Sequence, residues 1–484
     1  MLNLSDTITA PATGNIVSAL GIIRLSGPKA IDIISKIFVP SIKKPFKDIL
    51  RANTLYYGTI VKADKVVDEV VISVFLSPHS FSGEDTIEIT HHGSPYIQQE
   101  ILQLLIGNGA RLADRGEFSL RAFLNGKMNL SQAEAVADLI ESTNEASHDL
   151  AIKQLRGQYN TFLKELRGRF LKIASLLELE IDFSAEQEVF VSRDDLRKEL
   201  DQAKHTINLL VQSFEKGNAF KNGIPVAIVG QPNSGKSTLL NALLKDDRSI
   251  VSSIEGTTRD TIEETINVEG VSIRFIDTAG IRQSDNEIEK EGIKRSFVAI
   301  EKAQKIVYLV DASKNDAKSI DYQLKFLKEE LINLTSKRYD RQLDPTEESR
   351  IVSEFNKNLI LVINKEDIST IPLKDREYLA DNKAIFISAK LGNGIDKVLK
   401  AILKDFSSEE LLNKVFVTNV RHYQALMKAQ QNVDMAIDCL ENNLSADIIS
   451  ENIRGATEYI GQITGEITND EVLGNIFSSF CIGK

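Results

Sequence analysis

Eight consecutive residues, Gly230-Gln231-Pro232-Asn233-Ser234-Gly235-Lys236-Ser237, place two glycines, a lysine and a hydroxyl at the spacing G-x-x-x-x-G-K-[ST]. That combination suits polyphosphate chemistry. The glycines let backbone N–H groups turn inward at the positive end of a helix. Lys236 then reaches the β- and γ-phosphates, and the Ser237 hydroxyl ligates Mg²⁺. Ser234, Gly235 and Thr238 complete the cradle. The β-branched run Val226–Val229 precedes the loop and a helix-forming run, Thr238–Leu244, follows it. Strand, loop and helix in that order are the context the pattern requires.

Four further motifs select the nucleotide. Asp277-Thr278-Ala279-Gly280 follows an apolar run, where a carboxylate can hold the Mg²⁺ shell and a glycine amide can sense the γ-phosphate. Gly256-Thr257-Thr258-Arg259-Asp260 occupies the place of a switch segment. Asn364-Lys365-Glu366-Asp367 ends a strand-like run, and the Asp367 carboxylate can accept from guanine N1–H and its 2-amino group. Ser388-Ala389-Lys390 ends the next run and can offer backbone donors to the guanine oxygen. Adenine does not present that edge, so the set reads as a GTP site.

The hydrolytic part departs from the Ras-like pattern, in which a glutamine after Asp-x-x-Gly orients the attacking water. Here that position is Ile281. The water needs another polar group, and Asp285, Glu287 and Glu289 follow in sequence. Arg259 and Arg282 are in range, but neither is placed as an obvious arginine finger. A bound cation can balance the developing charge instead, and Asn233 is a neutral oxygen ligand suited to a monovalent ion.

The elements that must hold these motifs fall into blocks. Residues 224 to about 406 alternate apolar runs with helical segments, the pattern of a parallel sheet covered on both faces. Strands are predicted at Val226–Gly230, Thr261–Val268, Ser272–Asp277, Lys305–Asp311, Asn358–Asn364 and Ala384–Ser388. The polar stretch 333–356 reads as a surface excursion or partly disordered loop. Residues 1 to about 125 read as a mixed α/β unit, with strands at 21–25, 66–76 and 86–90 and helices at 29–38 and 96–105. His91-His92 tempts as a ligand pair, but adjacent strand residues face opposite ways, so one buried and one exposed histidine is expected. Leu130–Gly217 is nearly unbroken helical pattern, as is 412–480, with Gly217 and Asn222-Gly223 marking the exit into the phosphate-loop domain. The nucleotide domain therefore reads as an insertion into one helical bundle.

Bulk properties bound the possibilities. The 484 residues suffice for roughly three domains at about 150 residues each. With 58 basic and 69 acidic residues, the net charge of −11 gives no global attraction to nucleic acid, so any RNA contact needs a local basic patch or a partner subunit. Two cysteines, Cys439 and Cys481, argue against a disulfide framework and fit a reducing compartment. Neither a signal peptide nor a run of about 18 apolar residues is present, so a cytoplasmic protein with no membrane span is expected.

The phosphate loop with its Pro232-Asn233, the switch at 256–260, Ile281 and the stretch Phe480-Cys481-Ile482-Gly483-Lys484 together resemble the MnmE (TrmE) family of tRNA modification GTPases over the whole chain. The resemblance implies a multidomain α/β protein. Its parts would be an N-terminal α+β folate-binding and dimerisation domain (1–125), a helical bundle in two pieces (126–222 and 408–484) and an inserted Ras-like P-loop GTPase domain (223–407) with a doubly wound, mostly parallel sheet. It further implies a homodimer that joins a GidA-type FAD flavoprotein in a heterotetramer. That complex would modify C5 of the wobble uridine of certain tRNAs with a one-carbon unit from 5-formyltetrahydrofolate or a related folate, helped by K⁺. By the same resemblance, Asn233, Ser252, Ile254 and Thr257 surround K⁺ within a loop that also holds Ser253 and Glu255, while Ser237 and Thr258 ligate Mg²⁺. Potassium takes the arginine finger's role, and Glu289 orients the attacking water through a second water. Arg24, Glu84, Lys127 and Lys484 would meet the folate, and Cys481 is offered as catalytic. From the motifs alone, a regulatory GTPase of the ribosome-assembly kind is the other reading. The Cys-Ile-Gly-Lys stretch and the N-terminal domain favour the first.

Overall fold

The computed structural model describes residues 5–182, 192–245, 264–276, 297–338, 341–406, 411, 414–468, 470–481 and 483. The chain forms two compact units, one of Met1–Glu141, Ala151–Leu209 and Arg421–Lys484, the other of Ser142–Leu150 and Leu210–Val420.

The first unit opens with a seven-stranded sheet. Its elements in chain order are β1 (Ile8–Pro11), β2 (Leu20–Ser26), α1 (Ala30–Ile37), β3 (Phe38–Pro40), α2 (Phe46–Ile49), β4 (Thr54–Lys62), β5 (Lys65–Phe75), β6 (Thr86–His92), α3 (Pro95–Gly107) and β7 (Arg111–Leu112). The strand order is β3-β4-β5-β6-β2-β1-β7, antiparallel except for the β1–β7 pair. Period-two alternation drives it. Ile23 and Leu25, Ile72 and Val74, and Ile87 and Ile89 all face one core. Over that face α1 lays Ala30, Ile33, Ile34 and Ile37, the spacing of one helical stripe. His91 is buried and His92 exposed, as the alternation requires, and the His92 ring and backbone N–H both meet the Asp68 carboxylate.

Helices α4 (Glu117–Leu124), α5 (Leu130–Glu141), α6 (Glu145–Leu155), α7 (Gln158–Asp182) and α8 (Arg193–Asn222) follow. In the second unit come β8 (Ile224–Gly230), α9 (Lys236–Lys245), β9 (Glu264–Val268), β10 (Val271–Ile276), β11 (Lys305–Asp311), α10 (Ala317–Arg338), α11 (Pro345–Asn358), β12 (Leu359–Asn364), α12 (Leu373–Asp381), β13 (Ile385–Phe386) and α13 (Ile395–Leu403). The first unit is completed by α14 (Val420–Glu441), α15 (Ala446–Thr464) and α16 (Asp470–Ser478). Ile449, Ile453, Ile460 and Ile463 make the buried stripe of α15.

The second unit's six-stranded sheet runs β13-β12-β11-β8-β10-β9, parallel throughout except at the β9–β10 hairpin. Both faces are covered. Val226 and Ile228 of β8, with Val307 and Leu309 of β11, face the core shared with α9 and α13. Their neighbours Ala227, Val229, Tyr308 and Val310 face the opposite core, under α10 to α12. This doubly wound arrangement puts the C-terminal ends of the five parallel strands at one edge, where ligands of such folds bind.

Two expectations need correction. The stretch 333–356 is mostly helix: α10 runs to Arg338, and α11 begins at Pro345 and buries Phe355. Asp344 caps α11 by accepting from the Thr346 and Glu347 N–H groups, while Glu347 accepts from the Asp344 N–H, a capping box followed by proline at the first helical position. Polar composition concealed a start signal. Gly217, read as a boundary, lies inside α8. A Cβ there would sit 2.3 Å from the Val417 carbonyl oxygen, so the glycine serves a close chain crossing and the turn comes at Gly223, with φ +87°.

Candidate nucleotide-binding and hydrolysis site

β8 ends at Gly230 and α9 begins at Lys236, so the glycine loop lies at the strand-end edge of the sheet. Two of its glycines are dictated by space. A Cβ on Gly230 (φ +154°) would lie 2.3 Å from the Leu309 carbonyl oxygen, and one on Gly235 (φ +97°) 2.3 Å from Asn364 Nδ2. Lys236 Nζ donates to the carbonyls of Gly230 and Gln231, both at 3.0 Å, so the ammonium is folded over the loop it serves. Ser237 and Thr238 are exposed on the first turn of α9. Asn233 is exposed too and holds a left-handed backbone (φ 61°), a conformation asparagine accepts more readily than most residues.

The ends of β12 and β13 are tied to this loop from behind. Asn364 is buried; its Nδ2 donates to the Ser234 carbonyl at 2.8 Å and its Oδ1 accepts from Ala389 N–H at 3.0 Å. Lys365, itself left-handed (φ 64°), donates from Nζ to the Asn233 carbonyl at 2.9 Å and to Asp311 Oδ2 at 2.6 Å. Asp311 also accepts from the Ser313 N–H and hydroxyl. Burial pushes the Asp311 carboxyl up, but the hydrogen bonds from Lys365 and Ser313 outweigh it and hold the group below the usual carboxylate range. Asp367 is exposed, with Oδ1 fixed by the Ser388 hydroxyl at 2.6 Å. Glu366 pairs with Arg376, and Lys390 is exposed. Thus Asn364 and Lys365 brace the loop, while Asp367 presents an oriented carboxylate at the surface. Asp311, at the end of β11, was not singled out from the sequence, although its place at a strand end was a usable signal.

In the first unit, Arg24, Glu84 and Lys127 gather near the loop between β5 and β6. Arg24 pairs with Glu88, with Nη2 to Oε1 at 2.8 Å, and lies over the rings of Phe81 and Phe118 at 5.3 and 5.5 Å. Its Nη1 donates to the Gly483 carbonyl at 3.3 Å, and the Gly116 N–H donates to the Cys481 carbonyl at 3.5 Å, so residues 481 and 483 lie against β2 and α4. The Cys481 side chain is exposed. Glu84 accepts from the Ser26 hydroxyl at 2.7 Å and from Arg121 Nη1 at 3.0 Å. Lys127 donates to the Pro78 carbonyl at 2.8 Å and packs beside Gly83. The sequence reading missed Arg121, which is fully buried and also pairs with Asp6 at 2.5 Å and Glu117 at 2.9 Å. Burial pushes the Glu117 carboxyl up, but hydrogen bonds led by Arg111 prevail and lower it. Glu117, four residues earlier on α4, is a local hint to this arginine, but nothing local brings Asp6 and Glu84 to it.

The chain has several relatives that share one name. It matches the family described as the MnmE helical domain over residues 130–481, a span interrupted in sequence by the nucleotide domain, and the GTP-binding protein TrmE N-terminus over residues 7–127. It is 47% identical over 483 residues to the tRNA modification GTPase MnmE of Bacteroides thetaiotaomicron, covering 99% of each chain. It is 45% identical over 490 residues to that of Flavobacterium johnsoniae and 44% over 496 to that of Christiangramia forsetii, covering all of each. The chain belongs to the MnmE family of tRNA modification GTPases.

Of the site residues expected from the sequence, Ser252, Ser253, Ile254, Glu255, Gly256, Thr257, Thr258, Arg259, Asp277, Thr278, Ala279, Gly280, Ile281, Arg282, Asp285, Glu287, Glu289 and Lys484 lie outside the described residues. Among the described residues, no helix is long and apolar enough to cross a membrane.

Proposed function

We propose that this chain hydrolyses GTP to drive modification of the wobble uridine of certain tRNAs at C5. Full-length similarity to named tRNA modification GTPases carries the reading. The braced phosphate loop and the outward carboxylate of Asp367 are consistent with it.

The roles follow from the chemistry of the side chains. Backbone N–H groups of 233–238 and Lys236 bind the phosphates, and Asp367 selects guanine by accepting from two of its donors. Ser237 and Thr258 are assigned to Mg²⁺, and Asn233, Ser252, Ile254 and Thr257 to K⁺, hydroxyl, amide and carbonyl oxygens that suit hard cations. These cations would supply positive charge against the γ-phosphate as it leaves. Glu289 is assigned to orient water, in the place left by Ile281. In the N-terminal domain, Glu84 is held by Ser26 and Arg121 yet keeps lone pairs for a pterin's N–H and amino edge. The buried Arg121 Nε has no hydrogen-bond partner among the described residues, so the donor capacity of this cluster is not exhausted. Arg24, Lys127 and Lys484 are assigned to supply positive charge for a folate's glutamate tail, and Cys481 is assigned a catalytic role. A folate bound here would supply the one-carbon unit. A homodimer in heterotetrameric association with a GidA-type flavoprotein, in the cytoplasm, completes the proposal.

Nucleoside analysis of tRNA from a strain lacking this chain tests it. Loss of the C5-modified wobble uridines is expected. Their persistence at normal levels would refute the assignment and leave a regulatory GTPase as the better reading.

A further inference from the structure

The chain carries a net charge of −11, yet residues 29–51 hold Lys29, Lys36, Lys43, Lys44, Lys47 and Arg51 against only Asp32 and Asp48. Four of these six cations and both acids line one groove, which leaves it two positive charges in excess. An open cavity of about 840 Å³ lies between α1, the segment 38–48 that carries β3 and α2, and the Asn108-Gly109 turn after α3, and Lys29, Lys36, Lys44 and Lys47 all line it. All four lysines are exposed. Lys29 and Lys36 flank α1 at seven residues' separation, close to two full turns, so they share one face about 10 Å apart along the axis. Asp32 lies between them and is paired with Lys47, which neutralises the carboxylate most able to cancel their field. Asp48 is the remaining acid on the rim.

The groove's chemistry specifies its ligand. Its cations are lysines, compact point charges, with no arginine fork among the lining residues. Phe38 and Phe46, the aromatic residues at its base, are buried, pack edge to face at 5.3 Å and offer no open ring for a base to stack on. Such a surface suits a run of phosphates whose bases are read elsewhere.

We infer that this groove is a docking surface for the phosphate backbone of tRNA, positioning the substrate on the N-terminal domain without reading its sequence. The inference rests on the proposed action on tRNA and names where the local basic patch demanded by the chain's acidity is found.

Fluorescence anisotropy of labelled tRNA over a salt series, using the full-length protein, tests it. Lys29→Ala, Lys36→Ala and Lys44→Ala combined should weaken binding about tenfold or more and lower the salt slope by about 2 to 3, since each lost phosphate contact removes about 0.7–0.9. GTP turnover without tRNA should stay unchanged. Acylation footprinting on the wild-type protein gives a readout free of folding effects, and tRNA should protect Lys29, Lys36 and Lys44 from a lysine-acylating reagent. Unaltered affinity and slope in the triple variant, or no protection while the wild-type binds tRNA, would overturn the docking surface and leave the tRNA function standing. Protection by anionic phospholipid vesicles but not by tRNA would equally overturn it. A wild-type chain with no tRNA affinity at any salt would count against the function and the groove together.

Discussion

The side chain of Asn364 joins the glycine loop to the C-terminal end of β12 by donating to the Ser234 carbonyl at 2.8 Å across 130 residues of sequence. Its other end accepts from Ala389, so one amide fixes three motifs at once. Asn364→Ala would leave a buried carbonyl and a buried N–H without partners, costing about 1–3 kcal/mol for each group. Nucleotide affinity, read by fluorescent GDP titration, should fall by more than tenfold, with a lowered melting temperature. Wild-type affinity would show that the loop holds its shape unaided.

Asp367 is expected to set the base. Asp367→Asn replaces an acceptor with a donor, so GTP affinity should drop about 100-fold or more and xanthosine triphosphate should bind better than GTP. Competition binding with the two nucleotides decides it. A variant that keeps its preference for GTP would move base recognition to another residue.

Hydrolysis should depend on the cation. Turnover is expected to be high in potassium and low in sodium, and Asn233→Ala should erase the difference while preserving GTP affinity. Equal rates in both salts would remove the cation from the mechanism. Glu289→Ala should keep binding and lose hydrolysis; loss of binding would make that residue structural.

Acid should loosen the brace between Asp311 and Lys365. The folded carboxyl titrates below its unfolded value of about 3.9. Its stabilising contribution is therefore whole above that value and is lost as pH falls through the lower folded one. The melting-temperature gap between wild type and Asp311→Asn should be widest above about pH 5 and close progressively as pH falls from about 4 through the lower folded value. A gap that stayed constant across that range would mean the carboxylate contributes through packing alone.

Much of the nucleotide domain could be read from local pattern, because parallel strands buried on both faces are short apolar runs and each motif ends one of them. Lys305–Asp311 was predicted with the bounds it has. The braces were not readable. Asn364 and Lys365 appeared as base-contacting residues, but their side chains hold Ser234, Asn233 and Asp311, partners that the sheet's strand order brings near. Arg121 was hidden for the same reason: Glu117 is its i,i+4 neighbour on α4, but Asp6 and Glu84 reach it only once the segment before β1 and the 77–85 loop have packed. The helix at 345–358 was a different failure: its capping box was local and legible, and composition was given more weight than the box.

The contact between Arg24 and Gly483 spans 459 residues. At about 5–20 residues per second, β2 leaves the ribosome about twenty to ninety seconds before its carbonyl partner has been synthesised. This sheet thus emerges long before the segment that completes it, and throughout that interval the Arg24 guanidinium keeps Glu88 and its aromatic neighbours. A nascent chain stalled anywhere short of residue 483 carries an N-terminal sheet with this corner still open.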